Sequence, residues 1–254
     1  MVPQLSRRNF LGCACCAPLA ASLAFGASAF VPPARAAGRK TELTADQALQ
    51  LLKDGNQKFV ADNPVQTATT QSRDPRLGHE RRLEIAQGQT PFAVLVSCSD
   101  SRVPPELLFG RGLGELFIVR NAGNTIDTAA LGSIQYAVAE LGVPLVLVMG
   151  HQRCGAVDAA LTVVEKNAIF PGSIGQMLEP IVPAVLLAKG AVPAGSGREQ
   201  VLEIAVRENV KRVVTRLRTA SEPILLDPFK AGKLRMVGAS YSLDNGSVDF
   251  FMES

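Results

Sequence analysis

Three short, continuously apolar runs place the strongest constraint on the fold of this chain. They occupy residues 92–96, 116–119 and 144–149, and each is too short to form a stable helix. Runs of this kind are typical of strands that are buried on both faces of a parallel sheet. A segment with helical spacing, 127–142, separates the second run from the third. The alternation predicts a single α/β domain with a mainly parallel central β-sheet flanked by helices.

The rest of the chain adds helices and one hairpin to this prediction. Further helices are predicted at 45–60, 154–167, 175–189 and 199–219. A polar segment with two prolines, 62–76, is predicted to be an exposed arm, and 190–197 is predicted to be a loop. At the C terminus, 234–241 and 248–252 flank the turn sequence Asp-Asn-Gly, which predicts an antiparallel hairpin at the edge of the sheet.

Residues 1–36 have the features of an export signal. Arg7 and Arg8 form a twin-arginine pair before an Ala-rich apolar segment, and Ala34 and Ala36 provide the small residues of a cleavage site. The apolar segment is about long enough to span a bilayer, but it is only weakly hydrophobic. We therefore expect cleavage after Ala36 and no stable membrane anchor. The twin-arginine export machinery would deliver a catalytic domain, 37–254, to the bacterial periplasm or the exterior.

The excess positive charge of the chain belongs to this leader. Three of the 26 basic residues precede residue 37, which leaves 23 basic against 23 acidic residues in the predicted mature chain. A neutral chain lacks the basic surface that binds phosphate backbones, so we predict no nucleic-acid partner.

The residues with the most distinctive chemistry follow two of the apolar runs. Cys98 follows the first, and His151 and Cys154 follow the third. Because parallel strands end at the same sheet edge, where open α/β folds bind ligands, these side chains meet if the two strands are neighbours. Two thiols and an imidazole form a zinc ligand set with one position left open. A nucleophilic cysteine paired with His151 is the alternative, although it leaves Cys154 unexplained.

Cys154 also precedes a predicted helix. The partial positive charge of a helix N-terminus favours the thiolate form of a cysteine, which is the form that binds metals.

These residues resemble the motifs of the β-class carbonic anhydrases. The resemblance rests on Cys98-Ser-Asp100-Ser-Arg102 and on His151-x-x-Cys154. It continues through 88–91, 114–124 and 136–138 and so covers nearly all of the mature chain.

The resemblance implies a role for each residue. Cys98, His151 and Cys154 correspond to the family's zinc ligands, and Asp100 with Arg102 corresponds to its catalytic dyad. The residues that correspond to the substrate pocket are Gln89, Phe117 and Tyr136. Family members are dimers or larger, with active sites between subunits, so the resemblance implies a homodimer or a higher homo-oligomer.

The implied activity is reversible hydration of CO2 to bicarbonate and a proton by metal-bound hydroxide. Two thiolates cancel the zinc charge, so we expect an alkaline activity profile. Asp100 either accepts a hydrogen bond while Arg102 holds its carboxylate, or it occupies the fourth zinc position and closes the site. A simple salt bridge that braces the loop is the structural alternative for this pair.

Two other functions remain open on the same scaffold. One is a zinc-containing protein that binds or senses bicarbonate without turnover. The other is a hydrolase of COS or CS2.

Overall fold

One five-stranded sheet contains all three apolar runs. Its strands are β1 (Ala93–Ser97), β2 (Leu116–Arg120), β3 (Leu145–His151), β4 (Arg235–Tyr241) and β5 (Val248–Phe251). Their order across the sheet is β2-β1-β3-β4-β5. β1 pairs in parallel with β2 and β3, β3 pairs in parallel with β4, and only β5 is antiparallel. The predicted mainly parallel sheet with an antiparallel C-terminal edge is confirmed.

The computed structural model describes residues 40–61, 75–219 and 222–253. The predicted leader and most of the predicted arm at 62–76 lie outside the described residues. The described α-helices are α1 (Ala45–Ala61), α2 (His79–Ile85), α3 (Pro105–Leu108), α4 (Thr128–Ala139), α5 (Gly155–Lys166), α6 (Ser173–Leu178), α7 (Val182–Ala191), α8 (Arg198–Arg218) and α9 (Pro223–Lys230). Among these described helices, none has both the length and the apolar character needed to cross a membrane.

The prediction of one continuous helix at 175–189 is wrong. The chain forms α6 and α7 there, with a turn at residues 179–181 between them. Pro180 lies in this turn, and a proline has no N–H to continue a helical hydrogen-bond ladder. Pro183 is tolerated in the first turn of α7, where its N–H would have no intrahelical partner. The sequence pattern does not predict α2, α3 or α9. Two of them, α2 and α3, are only one or two turns long.

Helices cover both faces of the sheet. On one face, Val94 and Val148 pack in a cluster with residues of α4, α8 and α9. On the other face, Leu95 and Leu147 pack in a cluster with the apolar side of α1. All residues of β1 and β3 are buried. The two central strands therefore lie in a dry core, and only their carboxyl ends lead to polar residues.

The first helix is fixed at both ends by side-chain hydrogen bonds. At its start, the Thr44 N–H donates to Gln47 Oε1 at 2.9 Å and the Gln47 N–H donates to Thr44 Oγ1 at 3.2 Å, which is a capping box. Near its end, the buried Asn56 side chain donates to Gly246 O at 2.9 Å and accepts from the Val248 N–H at 2.8 Å. These contacts attach α1 to the C-terminal hairpin.

The packing of α1 makes Gly55 intolerant of a side chain. A Cβ atom at this position would overlap the backbone carbonyl of Phe109. We expect Gly55→Ala to lower the free energy of unfolding by about 2 kcal/mol or more, because backbone cannot move aside as a side chain can. Denaturant unfolding measures the change. Gly190→Ala in α7 is the control, because nothing lies within 4 Å of its Cβ position, and equal stability of the two variants would contradict the prediction.

Candidate metal centre

The pairing of β1 with β3 brings the two chemical motifs together. Ser97 of β1 is in register with Met149 of β3, so Cys98 lies just beyond one strand and His151 at the end of the other. Cys154 is the N-cap residue of α5. The strands are neighbours, as the metal-site prediction required.

The three side chains converge on one point. One potential ligand atom from each of Cys98, His151 and Cys154 lies within 4.8 Å of the other two. The two sulfur atoms are 4.0 Å apart. All three residues are at most 5% exposed. The described part of the chain thus contains a compact donor set of two sulfur atoms and one nitrogen atom that is shielded from bulk water.

His151 presents its Nε2 atom to this cluster. Its Nδ1 atom is 2.9 Å from the carbonyl oxygen of Gln152, so Nδ1 carries the proton and donates it there. Nε2 is buried without a hydrogen-bond partner. A buried polar atom without a partner is costly, and an imidazole whose other nitrogen donates to a carbonyl is the usual form of a metal-binding histidine. The residues present fit a bound metal cation.

The two cysteines do not ionise equally. The neighbouring Cys154 side chain and backbone N–H groups lower the pKa of Cys98 well below its usual value. The neighbouring Cys98 sulfur and burial raise the pKa of Cys154, because a second negative charge would lie 4.0 Å from the first. The N–H groups of Ala156 and Val157 at the start of α5 lower the pKa of Cys154, as the sequence predicted for a helix N-terminus. This effect is smaller than the other two. Cys98 is therefore the first of the two thiols to ionise.

Asp100 and Arg102 form a bidentate ion pair beside the cluster. Arg102 Nη2 is 2.8 Å from Asp100 Oδ2, and Arg102 Nε donates to Oδ1 at 3.0 Å. The Arg102 backbone N–H also donates to Oδ1, at 2.9 Å. These bonds hold the pKa of the Asp100 carboxyl well below its usual range. Asp100 Oδ2 is 3.8 Å from His151 Nε2, so an ionised carboxylate borders the donor set.

The residues assigned to a substrate pocket do not join this cluster within one chain. The Phe117 and Tyr136 rings contact each other, with centroids 6.3 Å apart. Phe117 is in register with Val94, four residues before Cys98, which is about 13 Å along the strand. Gln89 is half-buried and precedes the amino end of β1. Tyr136 is 39% exposed, whereas Phe117 is half-buried against the core. The aromatic pair lies near the sheet edge formed by β2.

Arg120 holds the loop that carries Cys98 and Asp100. Its Nε donates to the carbonyl oxygen of Cys98 at 2.9 Å and its Nη2 to that of Asp100 at 2.6 Å. This residue is not among the predicted site residues. A signal existed, because Arg120 directly follows an apolar run and therefore lies at the same sheet edge as the predicted ligands.

The loop between His151 and Cys154 is held by the C-terminal hairpin. The Gln152 N–H donates to Tyr241 O at 2.9 Å, and Gln152 Oε1 accepts from the Leu243 N–H at 2.9 Å. Arg153 has a positive φ of 51°, which an L-residue adopts only when its surroundings enforce it. Its guanidinium forms an ion pair with a carboxylate of the hairpin turn. The β4–β5 hairpin therefore fixes the backbone between two of the candidate ligands.

Comparison with known proteins supports one family for this site. The carbonic anhydrase family model matches residues 93–248. A carbonic anhydrase of Mycolicibacterium smegmatis is 40% identical over 202 residues, which are 80% of this chain and 91% of that protein. Carbonic anhydrase 2 of Mycobacterium tuberculosis is 41% identical over 199 residues, which are 78% of this chain and 89% of that protein. The structure of the Coccomyxa β-carbonic anhydrase with acetazolamide is 27% identical, with a TM-score of 0.58, and the match covers 66% of this chain and 75% of that one.

The donor set predicts that the purified protein binds about one transition-metal ion per chain. Cys98→Ser should lose most of this metal, because serine does not supply the soft thiolate that completes the set. Elemental analysis after dialysis against a weak chelator measures the metal content. Ser99→Ala, which changes the exposed neighbouring residue, should keep it. Full metal occupancy in Cys98→Ser would show that Cys98 is not a ligand.

Proposed function

The chain belongs to the β-class of the carbonic anhydrase family, and from this premise we propose that it is a zinc enzyme that interconverts CO2 and bicarbonate. The reaction consumes CO2 and one water molecule and yields bicarbonate and a proton. The observation that carries the proposal is the buried convergence of Cys98, His151 and Cys154 beside the ionised Asp100. Substrate and product are small and need only a narrow site at this sheet edge.

The donor set suits zinc. Cysteine sulfur and histidine nitrogen are its common protein ligands, and three of them leave the open position that distinguishes catalytic zinc from structural zinc. When bound, zinc lowers the pKa of water and so supplies hydroxide near neutral pH.

Asp100 orients the reacting water or hydroxide. An ionised carboxylate has no proton to donate, so Asp100 acts only as a hydrogen-bond acceptor, and accepting one hydrogen fixes how the oxygen lone pairs point. Both Asp100 oxygens accept from Arg102. This arrangement supports the accepting role of Asp100 rather than a role as the fourth metal ligand.

The protein acts as a homo-oligomer of two or more copies. Within the described residues, β2 is one of the two edge strands of the sheet. Phe117 and Tyr136 lie near this edge, far from the donor set of their own chain. If a second copy of the chain packs at this edge, these aromatic side chains can reach the donor set of that copy. They would form the apolar wall that favours CO2.

Export through the twin-arginine pathway completes the proposal. It rests on Arg7, Arg8, Ala34 and Ala36, all of which lie outside the described residues. This pathway carries proteins that have already folded, which suits a protein whose metal site is assembled from distant parts of the chain. We place the mature enzyme in the periplasm or outside the cell.

Replacing Arg102 separates catalysis from metal binding. Arg102→Ala should keep its zinc, because Arg102 is not a ligand, but Asp100 would lose its bidentate partner and its fixed orientation. We expect CO2 hydration to fall by at least about tenfold, because small misplacements of an orienting group are costly. Stopped-flow hydration with parallel zinc analysis measures both quantities. Lys211→Ala, at a surface ion pair of α8, is the control and should retain normal activity. Normal turnover in zinc-replete Arg102→Ala would reduce the pair to a loop brace.

The export proposal is tested by replacing both arginines of the leader. The double variant Arg7→Lys/Arg8→Lys should remain in the cytoplasm with its leader uncleaved. Cell fractionation and the mass of the purified chain report the two outcomes. Recovery of the cleaved double variant from the periplasm would show that another pathway exports the protein.

A further inference from the structure

A polar side chain lies on the apolar face of α8. Asn209 is 2% exposed and lies among the residues with which this helix packs on the core. Placing an amide in such a position costs free energy unless the amide is hydrogen-bonded. A hydrophobic residue would pack there at no such cost, so the contact that Asn209 makes requires an explanation.

Asn209 contacts the turn that supports Cys98. Its Nδ2 atom donates to the carbonyl oxygen of Gly123 at 2.8 Å, although the two residues are 86 positions apart. The N–H of the same glycine donates to Cys98 Sγ at 3.3 Å. Helix α8 is therefore connected to a candidate metal ligand through a single residue.

The geometry of Gly123 makes this connection specific. Its backbone adopts the left-handed conformation, with φ 67° and ψ 24°. A Cβ atom there would lie 2.6 Å from Ile181 Cδ1 and 3.1 Å from Ala156 Cβ, so only glycine fits. The turn is tied to β1 by the hydrogen bond from the Asn121 N–H to Ser97 O. Asn209 supplies a second anchor on the carbonyl side of Gly123.

We propose that Asn209 is a positioning residue of the metal centre. It fixes the Gly123 backbone so that the Gly123 N–H donates to the Cys98 sulfur. This hydrogen bond stabilises the thiolate and holds it in place for the metal. The inference rests on the proposed zinc site and adds a residue that lies outside the two sequence motifs.

Two substitutions test this role. Asn209→Leu removes the donor while nearly conserving volume, and Asn209→Ala removes it together with most of the side chain. Zinc affinity is measured by competition with a chromophoric chelator. We expect about a tenfold weaker affinity, since partners of metal ligands typically contribute ten- to a hundredfold. In the Co²⁺-substituted protein, the thiolate-to-metal charge-transfer band should shift, which a purely structural role would not produce.

A matched control is available on the same helix. Val214→Ala removes buried side-chain volume from the core on the sheet-facing side of α8. It should lower the melting temperature while leaving zinc affinity and the Co²⁺ spectrum unchanged. Unchanged affinity and spectrum in folded Asn209→Leu would overturn the inference.

The wild-type protein provides an independent measurement if the Asn209 variants fail to fold. In the ¹¹³Cd-substituted wild type, an N–H···S hydrogen bond produces scalar coupling between the metal and the Gly123 amide proton. Detection of this coupling supports the proposal, and its absence in a cadmium-loaded sample overturns it. Failure of the wild type to bind any metal is a distinct result, because it would refute the proposed function itself.

Discussion

Parallel pairing of β1 with β3 is the interaction on which the site depends. Both strands are buried along their whole length, so their register is set by the core on both faces. Their carboxyl ends then coincide, and this brings Cys98 and His151 together. A shift of one residue in this register would turn Cys98 towards the opposite face. The same apolar side chains that stabilise the sheet therefore determine the geometry of the donor set.

The backbone around the donor set is held by hydrogen bonds from other elements. Arg120 of β2 holds the carbonyl groups that flank Ser99, and the β4–β5 hairpin holds Gln152 between the other two ligands. Each partner comes from a different part of the chain, so no local segment forms the site by itself. Outer contacts of this kind fix the orientation of the ligands, and this orientation determines how tightly they bind metal.

The sequence predicted the parts of this arrangement that depend on local pattern. Short apolar runs identified β1 and β3, and the residue types after them identified Cys98, His151 and Cys154. The break at 179–181 was missed because the apolar pattern continues through Pro180. Asn209 was missed because a buried amide has no local signature, although helical periodicity places it on the apolar stripe of α8. The separation of Phe117 from Cys98 follows from the strand register, which a motif does not contain.

Exposure increases from the donor set towards the Asp100–Arg102 pair. The donor set is at most 5% exposed, whereas the side chain of Asp100 is 18% exposed and that of Arg102 is 53% exposed. The Asp100–Arg102 pair therefore lies on the solvent side of the donor set. Among the described residues of one chain, Phe117 and Tyr136 lie away from the donor set. The solvent side of the donor set therefore has the polar Asp100–Arg102 pair but lacks these two aromatic rings. A site of this kind needs an apolar boundary for CO2, and the exposed ring of Tyr136 near the β2 edge has apolar surface that a partner could cover. In the homo-oligomer that we propose, one second subunit would meet both requirements.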